Sequence, residues 1–482
     1  MTEFLELAPD LKISRVLTGL WQIADLERSG TTLDPAATSK YMIPYVEAGF
    51  TTFDMADHYG SSEVIAGYFR NHQEAGSRAQ LLTKWVPEPG SVTRQDVRDA
   101  VQLSLDRMQT DRLDMLQYHA WNYSDPAWLD SLFWLQELRE EGLIGHLGLT
   151  NFDAAHLRVA VASGIGILTN QVSYSLLDQR AAGDMAAVCQ QYGVKILAFG
   201  TVAGGFLSEN WLGRPEPAPE QLTTWSQMKY KRFIDAAGGW SRLQDVLLVL
   251  DGVARKHGVS MSVVSSRFML DQAAVGGIIL GARLGHGDHV KENLAIFDFA
   301  LDGKDRDQIT QAVSRLDPIP GACGDEYRKP PFLTASGDLS DHLETVPAVF
   351  SPVTDESGKS RVFSGTVWED FAGYCRAVRS GERILVSGTT AVHGERLIGG
   401  RDPAAQTHFV IDKIQAAIES LGGKLEDVDR TRVFVSDVKI WEEVARAHGE
   451  RFRKIQPVNT LVEAKLVGED YLVEIEAEAR VP

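Results

Sequence analysis

The chain has 482 residues, 44% of them apolar and 24% charged, with a formal net charge of -18. That balance describes a globular chain of two or three domains and offers no basic footprint for nucleic acid or an anionic membrane surface. No run approaches the ~18 unbroken apolar residues of a membrane span, the start MTEFLELAPDLKISRV lacks the apolar core of a signal peptide, and Cys189, Cys323 and Cys375 are too few and scattered for a disulfide framework or a zinc site, which points to a reducing, cytoplasmic setting.

Short apolar runs rich in β-branched residues recur at 15–20, 51–56, 79–85, 113–120, 144–151, 167–175, 194–201 and 276–282. Segments with a period near 3.6 separate them. VTRQDVRDAVQLSLDRMQ opens at Thr93 with its apolar residues on one face, and DPAWLDSLFWLQELREEG starts at Asp125, with Pro126 just inside and Gly142 at its end. Eight strands alternating with helices imply an α/β fold of parallel strands covered on both faces. Eight repeats fit a closed (β/α)8 TIM barrel better than an open sheet. A doubly wound sheet is the alternative, but no GxGxxG follows the first strand. Residues 202–241 form a long insertion, read as a lid or cofactor loop packed by Trp211, Trp225 and Trp240.

After about residue 317 the chain turns rich in Pro, Gly, Ser and Asp, as a barrel tail and linker would. Beyond 360, ERILVSGTTAV, DVDRTRVFVSDV, NTLVEAKL and YLVEIEAEARV read as strands. PAAQTHFVIDKIQAAIESLG and WEEVARAHGERFRKI read as helices. The expected organisation is a barrel at 1–345, a linker at 346–360 and a smaller α+β domain at 361–482.

Chemistry in such a barrel sits at the C-terminal ends of the strands. Those ends carry Asp54 and Tyr59 after the second run, Lys84 at the third, His119 at the fourth, Thr150 and Asn151 at the fifth and Gln171 within the sixth. Lys84 stands alone in the apolar LLTKWVP, where a lysine is costly unless paired with an acid, and Asp54 is the natural partner. A tyrosine titrates near pH ~10 in water, and a neighbouring ammonium favours its phenolate. Tyr59 beside Lys84 can then give a proton to a carbonyl oxygen as hydride reaches the carbon. His119 can orient that carbonyl through a hydrogen bond. Asp57 and His58 read as loop residues. Trp21, Trp121 and Tyr123 read equally well as pocket walls or as packing.

FDMADHYGSSE, LLTKW, LQYHAW, IGHLGLTNFD, TNQVSYSLLD and GARLGHGDHVKENL follow one another in an order that resembles the successive signatures of the aldo-keto reductase superfamily. The resemblance implies a barrel that binds NADPH without a Rossmann domain, with a catalytic tetrad of Asp54, Tyr59, Lys84 and His119. Thr150, Asn151 and Gln171 match residues that hold the nicotinamide carboxamide. Phe199 falls where the family stacks an aromatic ring on nicotinamide. Gly200, Thr201, Gly204 and Leu207 belong to the segment that would wrap the pyrophosphate. Gly281, Arg283, Glu292 and Asn293 match the adenosine end, with Arg283 as the candidate for a 2'-phosphate.

GYCRAVRSGERILVSGTTAV, AQTHFVIDKIQAAIESLGGKLEDVDRTRVFVSDV and NTLVEAKLVGEDYLVEIEAEA resemble the Rid family of reactive intermediate deaminases, which has a chorismate-mutase-like fold. The resemblance implies a homotrimer with clefts between subunits. Enzymatic members hydrolyse enamines and imines, with an arginine on the substrate carboxylate and a glutamate that positions water. The glutamate is matched by Glu474. The arginine position, fifteen residues earlier, holds Asn459, which lacks the charged fork that binds a carboxylate. Tyr374 is a candidate pocket residue, and Arg376, Arg430 and Arg432 read first as surface charges, with a place near the expected cleft as the alternative. The domain therefore reads as a trimerisation or ligand-binding module.

Together the resemblances imply a cytoplasmic NADP(H)-dependent oxidoreductase that reduces a small aldehyde or ketone, such as a sugar or a reactive metabolite, with no metal, nucleic acid or membrane partner. Two alternatives stay open. One is a nucleotide-sensing barrel beside a second domain that hydrolyses imines or enamines. The other is a sugar or alcohol dehydrogenase working in the oxidative direction.

Overall fold

The computed structural model describes residues 2–23, 32–285, 289–334 and 347–481. An antiparallel hairpin comes first, β1 (Phe4–Ala8) with β2 (Leu11–Ser14). Eight parallel strands follow: β3 (Val16–Gly19), β4 (Thr52–Asp54), β5 (Gln80–Trp85), β6 (Leu113–Tyr118), β7 (Ile144–Thr150), β8 (Ile167–Ser173), β9 (Lys195–Phe199) and β10 (Val275–Gly281). They close in chain order, β10 pairing with both β9 and β3. Seven lie within the apolar runs and β10 starts one residue before its run, at Val275, so the alternation of short buried strands with amphipathic helices specifies the barrel, as expected.

The hairpin escapes sequence reading because β1 is half exposed and its pattern is short. Its role is to stop one end of the barrel. Leu11 and Ile13 pack onto Leu17, Leu82, Met115 and Leu197 from the barrel interior. Ser14 and Thr52 exchange hydrogen bonds at 2.9 and 3.2 Å where β2 meets the start of β4. The opposite end, where the strands finish, is left as the mouth.

Helix starts follow local chemistry. Arg94–Met108 opens with a capping box in which the Asp96 carboxylate accepts from Thr93 N–H at 2.8 Å and Thr93 Oγ1 accepts from Asp96 N–H at 3.2 Å. Ala127–Glu140 follows Pro126. The insertion contributes the helix Trp225–Ala236, capped by Thr224.

The second domain has β11 (Val353–Thr354), β12 (Ser360–Val362), β13 (Ala377–Ser380), β14 (Arg383–Thr390), β15 (Val392–His393), β16 (Arg396–Leu397), β17 (Val428–Val435), β18 (Val458–Glu463) and β19 (Val473–Arg480). Seven of them form one sheet in the order β11-β12-β13-β14-β19-β17-β18, with only β17 and β18 parallel. Pairing begins at Val353, inside the stretch read as a linker at 346–360; the expected boundary at 345/346 lies outside the described residues.

Along β19, Val473, Ile475, Ala477 and Ala479 are buried on one face, while Glu474, Glu476 and Glu478 alternate onto the other. The helix Pro403–Ser420 packs against β14 and β19 and also against the barrel helix Ala154–Ala162. The barrel thus occupies the helical side of this domain. The far face of the sheet is an ion-pair ladder, with Arg432 on Glu476 at 2.9 Å and Arg430 on Glu478 at 3.3 Å, beside the exposed Leu385.

Candidate active site

Strand ends supply the mouth. Lys84 Nζ donates to Asp54 Oδ2 at 2.7 Å and to the Met55 carbonyl at 2.8 Å. The two side chains are only 5% and 4% exposed. Gln117 Nε2 and Gln171 Nε2 donate to Asp54 Oδ1 at 3.1 and 2.7 Å. Both carboxylate oxygens are therefore filled, the condition under which a buried ion pair is tolerated.

Tyr59 closes the 3-10 turn Asp57–Tyr59 after β4 and is half-buried. Lys84 Nζ lies 5.3 Å from the centre of its ring, and Trp21 meets it edge-on at 4.9 Å. Asp57 and His58 hold the turn. Asp57 Oδ2 accepts from Val86 N–H at 3.1 Å, and Asp57 Oδ1 accepts from His58 N–H at 2.8 Å.

His119 Nδ1 lies 3.3 Å from the Thr150 carbonyl oxygen. Burial, followed by the positive charge of Arg328, pushes the imidazole well below its ordinary pKa, so the ring is neutral. A carbonyl oxygen only accepts, so Nδ1 carries the proton and Nε2 presents a lone pair. Nε2 is buried with no hydrogen-bond partner among the described residues. In this tautomer His119 meets a hydroxyl as an acceptor, rather than a carbonyl as a donor. Trp121 packs edge-on to the ring at 4.3 Å and is anchored by its Nε1 donating to the Pro87 carbonyl at 2.6 Å.

Next to this cluster lie the residues expected to hold a dinucleotide. Asn151 has φ 60°, and its carbonyl accepts from Arg328 Nη1 at 2.7 Å. Asn151 Oδ1, Ser173 Oγ and Thr201 Oγ1 are buried without hydrogen-bond partners among the described residues. They sit at the ends of β7, β8 and β9, three neighbouring strands. A carboxamide brings the donors and acceptor such atoms need, so the residues present fit a nicotinamide. Gln171 spends its Nε2 on Asp54 and on Gln117 at 2.9 Å, which leaves its carbonyl oxygen for a ligand.

Phe199 ends β9, half-buried, and the chain turns at Gly200 with φ 78°. A Cβ at Gly200 would run into the Tyr230 hydroxyl, so only glycine allows the turn. The Thr201 and Leu207 carbonyls accept from Ser265 Oγ at 2.7 Å and Ser262 Oγ at 3.1 Å, which binds the 200–207 loop, Gly204 included, to the helix Met261–Leu270. Gly281 and Arg283 both meet Gln22, with Arg283 Nε donating to Gln22 Oε1 at 3.3 Å. Glu292 is tied instead to Ser260 Oγ at 2.7 Å, with Asn293 beside it on the helix His289–Ala295.

Sequence reasoning passed over Gln117, Lys229, Tyr327 and Arg328. The signal for Lys229 lay in its phase. Lys229, Tyr230, Phe233 and Ile234 form the buried stripe of Trp225–Ala236, so a lysine falls on an apolar face.

In the second domain, Tyr374 lies under the Arg376 guanidinium at 5.8 Å. Burial raises the Glu474 carboxyl above its ordinary value. Asn459 Nδ2 donates to Thr431 Oγ1 at 2.9 Å. Asn459 pairs with Thr431, and Thr431 with Ala477, so Asn459 shares the helical face of the sheet. Glu474 lies on the opposite face. Within one chain the two residues are not brought together.

A family model described as "Aldo/keto reductase family" matches residues 15–314, and one described as "Endoribonuclease L-PSP" matches residues 368–481. "Protein tas" of Escherichia coli K12 is 30% identical over 292 residues, 52% of this chain and 81% of its own length. The chain is 33% identical over 177 residues to "Flagellar radial spoke protein 5" of Chlamydomonas reinhardtii, and the match spans 33% of this chain and 33% of that protein. The solved glycerol dehydrogenase AKR11B4 of Gluconobacter oxydans shares the barrel fold at 21% identity and a TM-score of 0.53, over 65% of this chain and 95% of its own.

Proposed function

The chain belongs to the aldo/keto reductase family, and from that premise we propose that its barrel mouth interconverts a small aldehyde or ketone and the alcohol, with NADP(H) as the hydride carrier. The observation that carries this reading is the buried Lys84, held by Asp54 with its charge 5.3 Å from the Tyr59 ring. The nicotinamide supplies or accepts hydride at its ring. Tyr59 supplies the proton to the carbonyl oxygen, and the Lys84 charge stabilises the phenolate left behind. Asp54 keeps Lys84 charged and aimed, and Gln117 and Gln171 keep Asp54 aimed.

The orphaned Asn151 Oδ1 and the carbonyl end of Gln171 are suited to the carboxamide, with Thr150 holding His119, and Phe199 is suited to the nicotinamide face. Gly200 to Leu207 would follow the pyrophosphate, and the exposed Arg283 would meet a 2'-phosphate. An aldehyde panel followed by NADPH and NADH absorbance tests this. NADPH should be the better reductant. Arg283→Ala should raise KM for NADPH about tenfold, the scale of one charge-assisted contact, and narrow the preference over NADH. A wild-type enzyme that prefers NADH rejects the assignment of Arg283.

One observation favours the alcohol-oxidising direction as a second reading. The neutral His119 presents an acceptor, which suits a substrate hydroxyl. Comparing forward and reverse kcat/KM for one aldehyde–alcohol pair decides between the two.

For the second domain we propose assembly into a trimer through the open sheet face that bears Leu385 and the Arg430, Arg432 and Glu478 ladder. That face is the one the barrel leaves uncovered. Light scattering of the full chain should give three times the 53.1 kDa chain mass, and a monomer rejects the proposal.

A further inference from the structure

Two segments outside the barrel repeats meet over the mouth, the insertion helix Trp225–Ala236 and the short helix Asp325–Arg328. Their contact is Lys229, whose ammonium donates to the Tyr327 hydroxyl. Lys229 is 9% exposed. Its Nζ lies 5.2 Å from the Phe199 ring centre and 4.5 Å from that of Tyr327. Tyr327 in turn stands edge-on to His119 at 6.0 Å. The lysine is therefore in the wall of the reacting centre.

Other cations near the mouth have acids. Lys84 has Asp54 at 2.7 Å, Arg107 has Glu63 at 3.1 Å, and Arg180 has Asp178 at 2.7 Å and Glu326 at 2.8 Å. Among the described residues, Lys229 has no carboxylate within ion-pair distance; it has one neutral hydroxyl and two aromatic faces. Arg328, the residue after Tyr327, repeats the pattern. Its Nε and Nη1 donate to the Ala120 and Asn151 carbonyls at 2.7 Å each, and its guanidinium lies 4.5 Å over the Tyr123 ring. Its Nη2 is buried with no hydrogen-bond partner among the described residues. In a chain with 66 acidic and 48 basic residues, Lys229 against Tyr327 and Arg328 against Tyr123 are two cations with no ion-pair partner among the described residues. Aromatic faces and a hydroxyl return only part of what an ammonium loses on leaving water. An incoming anion would complete the arrangement.

We propose that the mouth selects a carbonyl substrate that also carries an anionic oxygen group, a carboxylate or phosphate, received by Lys229 with Tyr327 and Arg328 beside it. The proposal rests on the reductase reading and names its substrate class. The shared chemistry also admits the cofactor's pyrophosphate, so the experiment separates the two sources.

The test compares 4-formylbenzoate with 4-methylbenzaldehyde, two aldehydes of similar size, in the full-length enzyme. The wild type should favour the carboxylated aldehyde in kcat/KM. Lys229→Met should lower that selectivity ratio about tenfold or more, and Lys229→Arg should restore most of it. Circular dichroism of each variant checks that it is folded. In parallel, NADP+ is titrated into each variant, and benzoate into its NADP+-loaded form. Benzoate affinity should fall at least as far as the ratio. An unchanged ratio overturns the proposal, and if NADP+ affinity falls instead, the lysine serves the pyrophosphate. A wild type that reduces neither aldehyde defeats the reductase reading. The benzoate titration then decides the lysine alone, and equal binding by wild type and Lys229→Met overturns it.

Discussion

Tyr59→Phe should lower kcat for carbonyl reduction by about 10²–10⁴-fold, the usual worth of a positioned proton donor, while NADP+ binds as tightly as before. The substitution removes one hydroxyl and keeps the ring. Trp21 would still pack edge-on against it, and the Asp57 turn that presents it is anchored elsewhere, on Val86. Lys84 keeps both of its partners, Asp54 Oδ2 and the Met55 carbonyl, so no buried charge is orphaned. The loss should therefore appear in kcat, with little change in stability. Lys84→Met is the harsher companion. It strands Asp54 in a site where the carboxylate is 4% exposed, which costs stability as well as rate. Near wild-type turnover by Tyr59→Phe would remove Tyr59 as the proton donor.

The parts of this site that were legible in the sequence share one property: each sits at a fixed offset from a strand. Asp54, Lys84, Thr150 and Gln171 are in or at the ends of barrel strands, where a polar residue interrupts a buried run. A polar residue in such a place needs a partner, and the closed barrel allows few. Gln117 obeys the same logic. It was missed because a neutral amide in LQYHAW is less conspicuous than the histidine two residues on. Lys229, Tyr327 and Arg328 come from segments without strand periodicity. Their approach to His119 depends on how the insertion and the tail fold back, which no local pattern encodes. The tautomer of His119 was hidden for a related reason, since it is set by the Thr150 carbonyl on a neighbouring strand. In the second domain, β11 and β12 are two and three residues long, too short for a period to show.

Asp412→Ala should destabilise the full chain by about 3–5 kcal/mol, the cost of stranding the partners of a buried charge. Asp412 lies on the helix Pro403–Ser420, where it faces the barrel. Its Oδ2 is 3.0 Å from His156 Nε2, and its Oδ1 accepts from Arg451 Nη1 at 2.6 Å. His156 Nδ1 lies 2.7 Å from Asp153 Oδ1, and the His156 ring stacks on Tyr123 at 3.6 Å. One buried imidazolium thus joins the helix that follows the mouth to the second domain. Burial works to lower the His156 pKa, but Asp153 and Asp412 outweigh it, and the value is raised from 6.5. Burial works to raise the Asp412 carboxyl, but Arg451 and His156 outweigh it, and the value is lowered from 3.8.

The signs then give a window. The His156 contribution is complete below pH 6.5 and is lost as pH rises through its raised folded value. The Asp412 contribution is complete above pH 3.8 and is lost as pH falls through its depressed folded value. The stability gap between wild type and Asp412→Ala, from denaturant melts, should be widest between those limits and narrower at alkaline pH. A double variant, His156→Leu with Asp412→Leu, should cost less than the sum of its parts, because neither charge is left without the other. Additive losses, or a gap that does not change between pH 6 and pH 9, would show that the imidazolium does not hold the two domains together.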